Sequence, residues 1–274
     1  MISRPLYEEI VRAALREDAP FGDPFGEAFQ DAASGLFLAG GEGVFCGGAV
    51  AEEVFRQVDP SVSVSFSPEG SRVSRGDRVG EASGPACSLL RAERVALNFL
   101  QRLSGVATAT SLYVSLISGH GTKLLDTRKT TPLLRALEKY AVRVGGGANH
   151  RFSLSDGILI KENGIRAAGG IAPAIRAARA HAHHLLRIEV EAETLSDVEA
   201  AVAAGADAVL LDNMPPSMVR EAVARFGGKV FLEASGGIHL GNVEEYARTG
   251  VAAVAVGAIT HSAPALDISF ELKT

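Results

Sequence analysis

Two clusters of cations dominate the chemistry available to this chain. Asp126-Thr127-Arg128-Lys129-Thr130-Thr131-Pro132 sets Arg128 and Lys129 among hydroxyls, and Gly145-Gly146-Gly147-Ala148-Asn149-His150-Arg151 places His150 and Arg151 behind a glycine run. A guanidinium is a planar fork that matches a carboxylate or phosphate, and an ammonium is a point charge for the same anions. The chain as a whole is acidic, with 27 Lys and Arg against 32 Asp and Glu. Positive charge concentrated inside an acidic protein calls for a small, multiply anionic ligand. There is no broad basic face of the kind a nucleic acid needs.

The remaining reactive residues complement these cations. Glu189, Glu191 and Asp212 are carboxylates suited to a hard cation such as Mg²⁺, which takes one or two carboxylates plus substrate phosphates. Alternation turns Glu189 and Glu191 to the same side of a strand, with Glu189 and Asp212 the preferred pair and Lys161 a neighbour that one of them could balance. Ser235-Gly236-Gly237-Ile238 and Val256-Gly257-Ala258, with His261 close behind, are glycine turns whose bare backbone N–H groups can approach a phosphate. His181, His183 and His184 cluster at the end of a helix, where cations are favoured, and nothing nearby completes a metal ligand set. Arg94, within Glu93–Phe99, reads as part of an ordinary amphipathic helix. Cys46 and Cys87 follow no metal-ligand spacing and read as reduced thiols of a cytosolic protein. The N-terminus lacks the apolar core of a signal peptide, and no apolar run approaches membrane-spanning length.

The elements that must position these groups change character along the chain. Residues 5–17 read as a helix with Leu6, Ile10, Val11, Ala14 and Leu15 as its apolar stripe. Short strands then follow, at Gly35–Ala39, Val44–Cys46 and the alternating Val62, Val64 and Phe66, with turns at 68–70 and 75–77. A helical stretch over 88–118 is expected to break near Ser104-Gly105. From Thr122 strands and helices alternate, with strands at Lys123–Thr127, Gly157–Lys161, Leu185–Glu191, Ala208–Asn213, Val230–Ser235 and Ala252–Ile259. The helices between them fall at 132–143, 171–183, 195–204, 216–226 and 242–249. Strict alternation implies a parallel sheet. All six strands end in charged, polar or glycine residues. In a barrel such ends converge on one mouth, whereas in an open sheet only strands beside a switch point do so. A barrel is favoured, and six strands where eight close a full one make it incomplete. The solvated face of ion pairs usual for surface cations fits poorly here, because Arg128 and Lys129 stand at a strand end.

These segments together resemble quinolinate phosphoribosyltransferase, the carboxylating nicotinate-nucleotide pyrophosphorylase family. The resemblance is carried by Glu93–Phe99, Ser104–Thr108, Asp126–Pro132, Glu138–Arg143, Gly145–Arg151, Ile160–Asn163, Glu189–Glu191, Leu211–Asn213 and Ala234–Ile238, and runs from about residue 6 to the C-terminus. It implies a type II phosphoribosyltransferase that moves phosphoribosyl from phosphoribosyl pyrophosphate to quinolinate with decarboxylation, giving nicotinate mononucleotide for NAD biosynthesis. It implies an N-terminal α/β sandwich domain, taken as residues 1–108, and an incomplete parallel α/β barrel over 109–274 whose C-terminal tail can return to the first domain. It implies a cytoplasmic homodimer, or an assembly of dimers, with a shared active site into which Arg94 reaches from the neighbouring subunit. Carried over by residue, Arg94, Thr127, Arg128, Lys129, His150, Arg151 and Lys161 surround the substrates. Lys129, Lys161, Glu189 and Asp212 serve the chemistry, Glu189 and Asp212 hold Mg²⁺, and Ser235, Gly236, Gly237, Gly257 and His261 cradle phosphate. Gly164 stands where the family often has His, and Gly22-Asp23-Pro24-Phe25 also departs from the family pattern. Two other readings share the fold: a relative of the molybdenum-transport-associated type acting on another substrate, and a non-catalytic sensor of a phosphate ligand. Asn149-His150-Arg151 with Lys161 favours quinolinate over the first. Glu189 with Asp212 argues against the second, because a sensor need not hold Mg²⁺ against a leaving group.

Overall fold

The computed structural model describes residues 2–273, which form two compact units. One unit takes the chain up to Ser111, Thr130–Gly146 and the stretch from Ile259 onward; the other takes Leu112–Lys129 and Gly147–Ala258. The first half of the chain carries α1 (Glu8–Asp18), β1 (Ala32–Ala39), β2 (Gly43–Val44), α2 (Gly48–Val58), β3 (Ser63–Phe66), β4 (Arg72–Val73), β5 (Arg78–Pro85) and α3 (Ala86–Ile117). The second half carries β6 (Lys123–Leu125), α4 (Arg135–Val144), β7 (Ile158–Ile160), α5 (Glu162–Ala168), α6 (Ile171–His181) and β8 (Ile188–Ala192). It continues with α7 (Leu195–Ala203), β9 (Ala208–Asp212), α8 (Pro216–Phe226), β10 (Phe231–Ser235), α9 (Val243–Ala247), β11 (Ala253–Ala255), α10 (Ala258–His261) and β12 (Ile268–Lys273). Among the described residues no helix is long and apolar enough to cross a membrane.

In the first unit an antiparallel sheet runs β12-β1-β5-β3, so the last strand of the chain pairs with the first. Its core centres on the buried Phe37, whose ring lies 6.0, 5.0 and 4.6 Å from those of Phe55, Phe66 and Phe270. Each such pair adds roughly 0.5–1.5 kcal/mol beyond the area it buries. Phe55 comes from α2, a helix absent from the sequence reading, although its buried Val50, Ala51, Val54 and Phe55 follow helical spacing. Of the stripe expected on α1, only Val11 is buried.

The expected break at Ser104-Gly105 is not there: α3 is continuous for 32 residues. Gly105 serves close packing instead. A Cβ on it would stand 2.1 Å from the Pro264 carbonyl oxygen, so the returning C-terminal segment can lie against α3 only where the side chain is missing. Ser104 bonds both the N–H and the carbonyl of Cys46, tying the β2 region to the same helix. Thr130–Gly146, read from sequence as barrel, packs within this first unit. The buried Glu138 meets Arg102 of α3, and Gly145 lies against the Ala107 carbonyl.

The second unit is a six-stranded parallel sheet in the order β6-β11-β10-β9-β8-β7. Parallel neighbours need crossovers, and helices supply them. Val190, Val209, Leu211, Leu232, Ala234 and Val254 are buried on one set of alternating positions, with Val198, Val219 and Val243 buried on the helices α7, α8 and α9. The opposite set contains Glu189, Glu191, Leu210, Asp212, Glu233 and Ser235. No pairing among the described residues joins β6 to β7, so the barrel stays open between them. A short segment partly occupies that side: Ala148 bridges Leu125 on the edge of β6 away from β11, through Ala148 N–H to the Leu124 carbonyl (2.8 Å) and Asp126 N–H to the Ala148 carbonyl (3.2 Å). Each of the six expected strands is present, shortened by one to five residues.

Candidate active site

Strand register stacks the inward side chains in rows. Ala255, Ser235 and Asp212 stand level, and Ala253, Glu233, Leu210 and Glu191 form the row beneath. The rows open into a cavity of about 570 Å³ lined by Thr127, Arg128, Lys129, His150, Arg151 and Lys161, by Glu191, Asp212 and Glu233, and by the turn Ser235-Gly236-Gly237. That is the size range of small-ligand sites.

One arc of the wall is cationic. Arg151 donates to the Gly157 carbonyl (2.8 Å), while its Nε is buried with no hydrogen-bond partner. Burial, and then the Arg128 guanidinium beside it, hold the Arg151 pKa below its usual value. Two like charges half-withdrawn from water are an electrostatic cost that an entering dianion removes. The segment that carries Arg151 is fixed from below by Asp126. This fully buried carboxylate accepts from Asn149 Nδ2 (2.6 Å) and from the His150 N–H (2.8 Å). The strand end thus uses its acid to hold the neighbouring segment and presents Arg128 and Lys129 above it.

The carboxylates divide their work differently from the sequence reading. Glu189 does not line the cavity; its Oε2 lies 3.0 Å from His150 Nε2. His150 Nδ1 accepts the Arg151 N–H (2.7 Å), so the ring proton sits on Nε2 and is donated to Glu189. Glu191 does line the cavity, accepting from Lys161 Nζ (3.0 Å) and the Glu162 N–H (3.2 Å). Burial, and then the charge of Glu191, raise the carboxyl pKa of Asp212. A carboxyl held up in this way beside a second carboxylate fits a divalent cation. His150, Glu189 and Glu233 also have ligand-type atoms within 4.8 Å of one another. Both acids are buried, however, and Mg²⁺ keeps several waters. Such a dry trio fits Mg²⁺ less well than the carboxylates that line the cavity.

Glu233 is the inward-facing residue the sequence reading missed. The available signal was a lone acid inside the apolar run Phe231–Ser235, two residues before Ser235 and so on its face. Ser235-Gly236-Gly237 lines the cavity as expected, and its geometry accounts for the glycine. Gly236 has φ +93°, and a Cβ there would stand 2.2 Å from Asn213 Oδ1. Arg94 is exposed on α3, and His261 is exposed at the end of α10. Neither these two nor Gly257 lines this cavity. His181 and His183 make only local contacts with backbone atoms, and His183 packs edge-on against His184.

An incomplete parallel barrel whose mouth opposes a cationic arc to carboxylates and a glycine turn defines an enzyme for small, multiply anionic substrates. Comparison with known proteins narrows the class. The model of the quinolinate phosphoribosyl transferase N-terminal domain matches residues 28–104, and that of its C-terminal domain matches residues 106–271. A probable nicotinate-nucleotide pyrophosphorylase (carboxylating) of Bacillus subtilis (strain 168) is 44% identical over 266 residues, covering 97% of this chain and 90% of that protein. Its counterpart in Methanothermobacter thermautotrophicus is 40% identical over 275 residues, covering 97% and 98%. The solved nicotinate-nucleotide pyrophosphorylase from Francisella tularensis superposes with a TM-score of 0.95 at 40% identity, covering 100% of this chain and 98% of that one. The chain belongs to the quinolinate phosphoribosyl transferase family.

Proposed function

We propose that this chain transfers phosphoribosyl from phosphoribosyl pyrophosphate to quinolinate with loss of CO₂, giving nicotinate mononucleotide and pyrophosphate. The observation that carries the reading is the Arg128–Arg151 pair on the cavity wall, whose mutual repulsion is relieved by a dianionic ring that also reaches the unpartnered buried Nε of Arg151. Lys161 adds a donor on the same arc, and His150 lines it beside Arg151. A ring with a single carboxylate would leave one of these cations buried and unpaired, which selects quinolinate over nicotinate.

The ribosyl donor belongs to the opposite side. The backbone of Ser235-Gly236-Gly237 suits its 5-phosphate, and Lys129 at the exposed lip offers charge to its pyrophosphate. The residues that fit Mg²⁺ are Asp212 and Glu191, in place of Glu189. Mg²⁺ held by these two carboxylates would supply positive charge for the pyrophosphate leaving group. Holding both substrates in one cavity lets the pyridine nitrogen meet the ribose C1, and such orientation contributes up to roughly 7–11 kcal/mol. The pyridinium that forms is an electron sink for the departing carboxylate.

The working unit we propose is a homodimer or an assembly of dimers with a shared site, supported by the exposure of Arg94 on α3. A cytoplasmic setting is supported by the two free thiols, Cys46 and Cys87. The decisive assay supplies quinolinate, phosphoribosyl pyrophosphate and Mg²⁺ and measures nicotinate mononucleotide, with nicotinate as the control substrate. Product from quinolinate alone is expected. Equal use of nicotinate, or no product, would overturn the reading.

A further inference from the structure

The inference rests on the reaction proposed above and names the group that completes it. When the carboxylate at C2 of the pyridinium leaves as CO₂, its bonding electron pair stays on C2. That carbon must gain a proton before nicotinate mononucleotide can depart. We propose that Glu233, on the cavity wall made by β10, is the acid that delivers this proton.

Its position comes first. Glu233 lies level with Leu210 and Ala253 in the inward row and lines the same cavity as Arg128, Arg151 and Lys161. Each of the other carboxylates in or beneath the cavity has a visible partner. Asp126 holds Asn149 and His150, Glu189 accepts a hydrogen bond from His150, Glu191 binds Lys161, and Asp212 faces Glu191. Glu233 differs. It is only 2% exposed, its Oε1 makes no hydrogen bond, and His150 Nε2 stands 3.7 Å from it, beyond hydrogen-bonding reach. A buried polar atom left unsatisfied is destabilising, and a ligand contact removes that cost.

The protonation state follows from the surroundings. Burial, and then the charges of Glu189 and Asp126, push the Glu233 carboxyl well above the usual carboxylate range. The same surroundings favour the protonated form of a carboxyl that faces the cavity. In the step itself, proton delivery is coupled to cleavage of the C2–carboxylate bond, so CO₂ is released only as the bonding pair is captured at C2. That pair takes the Glu233 proton to form C2–H, and the O–H pair remains on Glu233 as a carboxylate. The new negative charge beside Glu189 and Asp126 is unfavourable, which drives Glu233 to recover a proton from water entering as product leaves.

The test uses the full chain with quinolinate, phosphoribosyl pyrophosphate and Mg²⁺, and follows pyrophosphate and CO₂ separately through the first turnover. Glu233→Gln keeps shape and hydrogen-bonding capacity but cannot deliver the proton. CO₂ release is expected to fall about 10²-fold or more while pyrophosphate release stays within about threefold of wild type, so that the undecarboxylated mononucleotide accumulates. CO₂ release at the wild-type rate, or a parallel fall of both products, would overturn the assignment. Should Glu233→Gln not fold, Glu233→Asp keeps an acid one methylene shorter and is read the same way: selective slowing of CO₂ release supports the role, and equal or parallel rates sink it. A wild-type protein that forms no nicotinate mononucleotide refutes the reaction itself, an outcome distinct from a Glu233→Gln variant that works normally.

Discussion

Glu138→Gln tests how the loop bearing Arg128 and Lys129 is anchored where it leaves the strand. Glu138 is fully buried, and its two oxygens accept from Arg102 Nε (3.1 Å), Arg102 Nη2 (2.6 Å), the Thr131 N–H (3.0 Å) and Thr131 Oγ1 (2.7 Å). Arg102 also donates to the carbonyls of Thr260 and Ala263, so one ion pair joins α3, the loop after β6 and the segment around α10. Glutamine keeps one acceptor and turns the other oxygen into an NH₂ that faces donors. Breaking a buried pair costs about 3–5 kcal/mol, since one charge is left behind uncompensated. Arg102 retains 26% side-chain exposure, which places the expected loss near the lower end, about 3 kcal/mol. Urea unfolding followed by circular dichroism measures it, and an Arg102→Met, Glu138→Met double variant should recover part of the loss, because neither charge is then stranded. The KM for both substrates should rise in Glu138→Gln, since Thr131 follows Lys129 by two residues. Single variants that each lose less than about 1 kcal/mol, with no coupling in the cycle, would refute the account of this pair as a buried brace.

Four further outcomes are expected. Arg151→Lys removes a forked donor while keeping the charge, and kcat/KM should fall by about 10-fold or more, as loss of a charge-assisted contact implies; an unchanged value removes Arg151 from the substrate. Gly236→Ala adds a Cβ at φ +93° into Asn213 Oδ1 and should cost about 1–3 kcal/mol, seen as a lower melting temperature and a higher KM for phosphoribosyl pyrophosphate. Asp212 has a raised folded pKa, so the folded state holds its proton longer than the unfolded one, and wild-type stability falls as pH rises from the ordinary aspartate value through the raised one. Asp212→Asn should flatten that slope and be more stable than wild type at pH 7 yet inactive, and a steeper slope or retained activity would contradict it. Mixing Arg94→Ala with a Lys161→Ala variant should restore some activity through hybrid dimers, and no rescue despite demonstrated subunit exchange argues against a shared site.

The barrel half was legible because parallel strands and their helices write a repeating signal. β8, β9 and β10 each end within one position of the expectation, and the capping box of Thr194 and Asp197 starts α7 where the pattern placed it. The first unit was less legible. Gly48–Val58 begins at glycines and lies among short strands, so its helical spacing went unrecognised, and Gly105 suggested a break where it marks a close approach. In the site, residue type was readable and partner choice was not. Glu189 and Glu191 share a face by alternation, but only the register sets Glu189 one row lower, beside His150, and Glu191 level with Lys161. Glu233 was invisible for a related reason: a single acid in an apolar strand carries no periodic signature, and its meaning comes from neighbours on β8 and β6 that are far away in sequence.

The order of the strands explains why charge is segregated in this mouth. β6 and β7 are the two ends of the sheet, and the cations come from the end of β6, from residues 148–151 and from the end of β7. The carboxylates come from β8, β9 and β10, which lie at or near the middle of the sheet. A closed barrel would pair the edges of β6 and β7 through backbone alone. Here the 148–151 segment lies along β6, and it is held by a side-chain acid, Asp126, as well as by the Ala148–Leu124 hydrogen bond. That anchoring puts an imidazole and a guanidinium where a strand would have placed alternating apolar residues. Arg128 and Arg151 can be brought together because one follows the end of the strand and the other ends the segment beside it. The missing strands therefore shape the cavity. The gap supplies the cationic arc, and the intact centre of the sheet supplies the register that sets Asp212, Glu191 and Glu233 on the opposite wall.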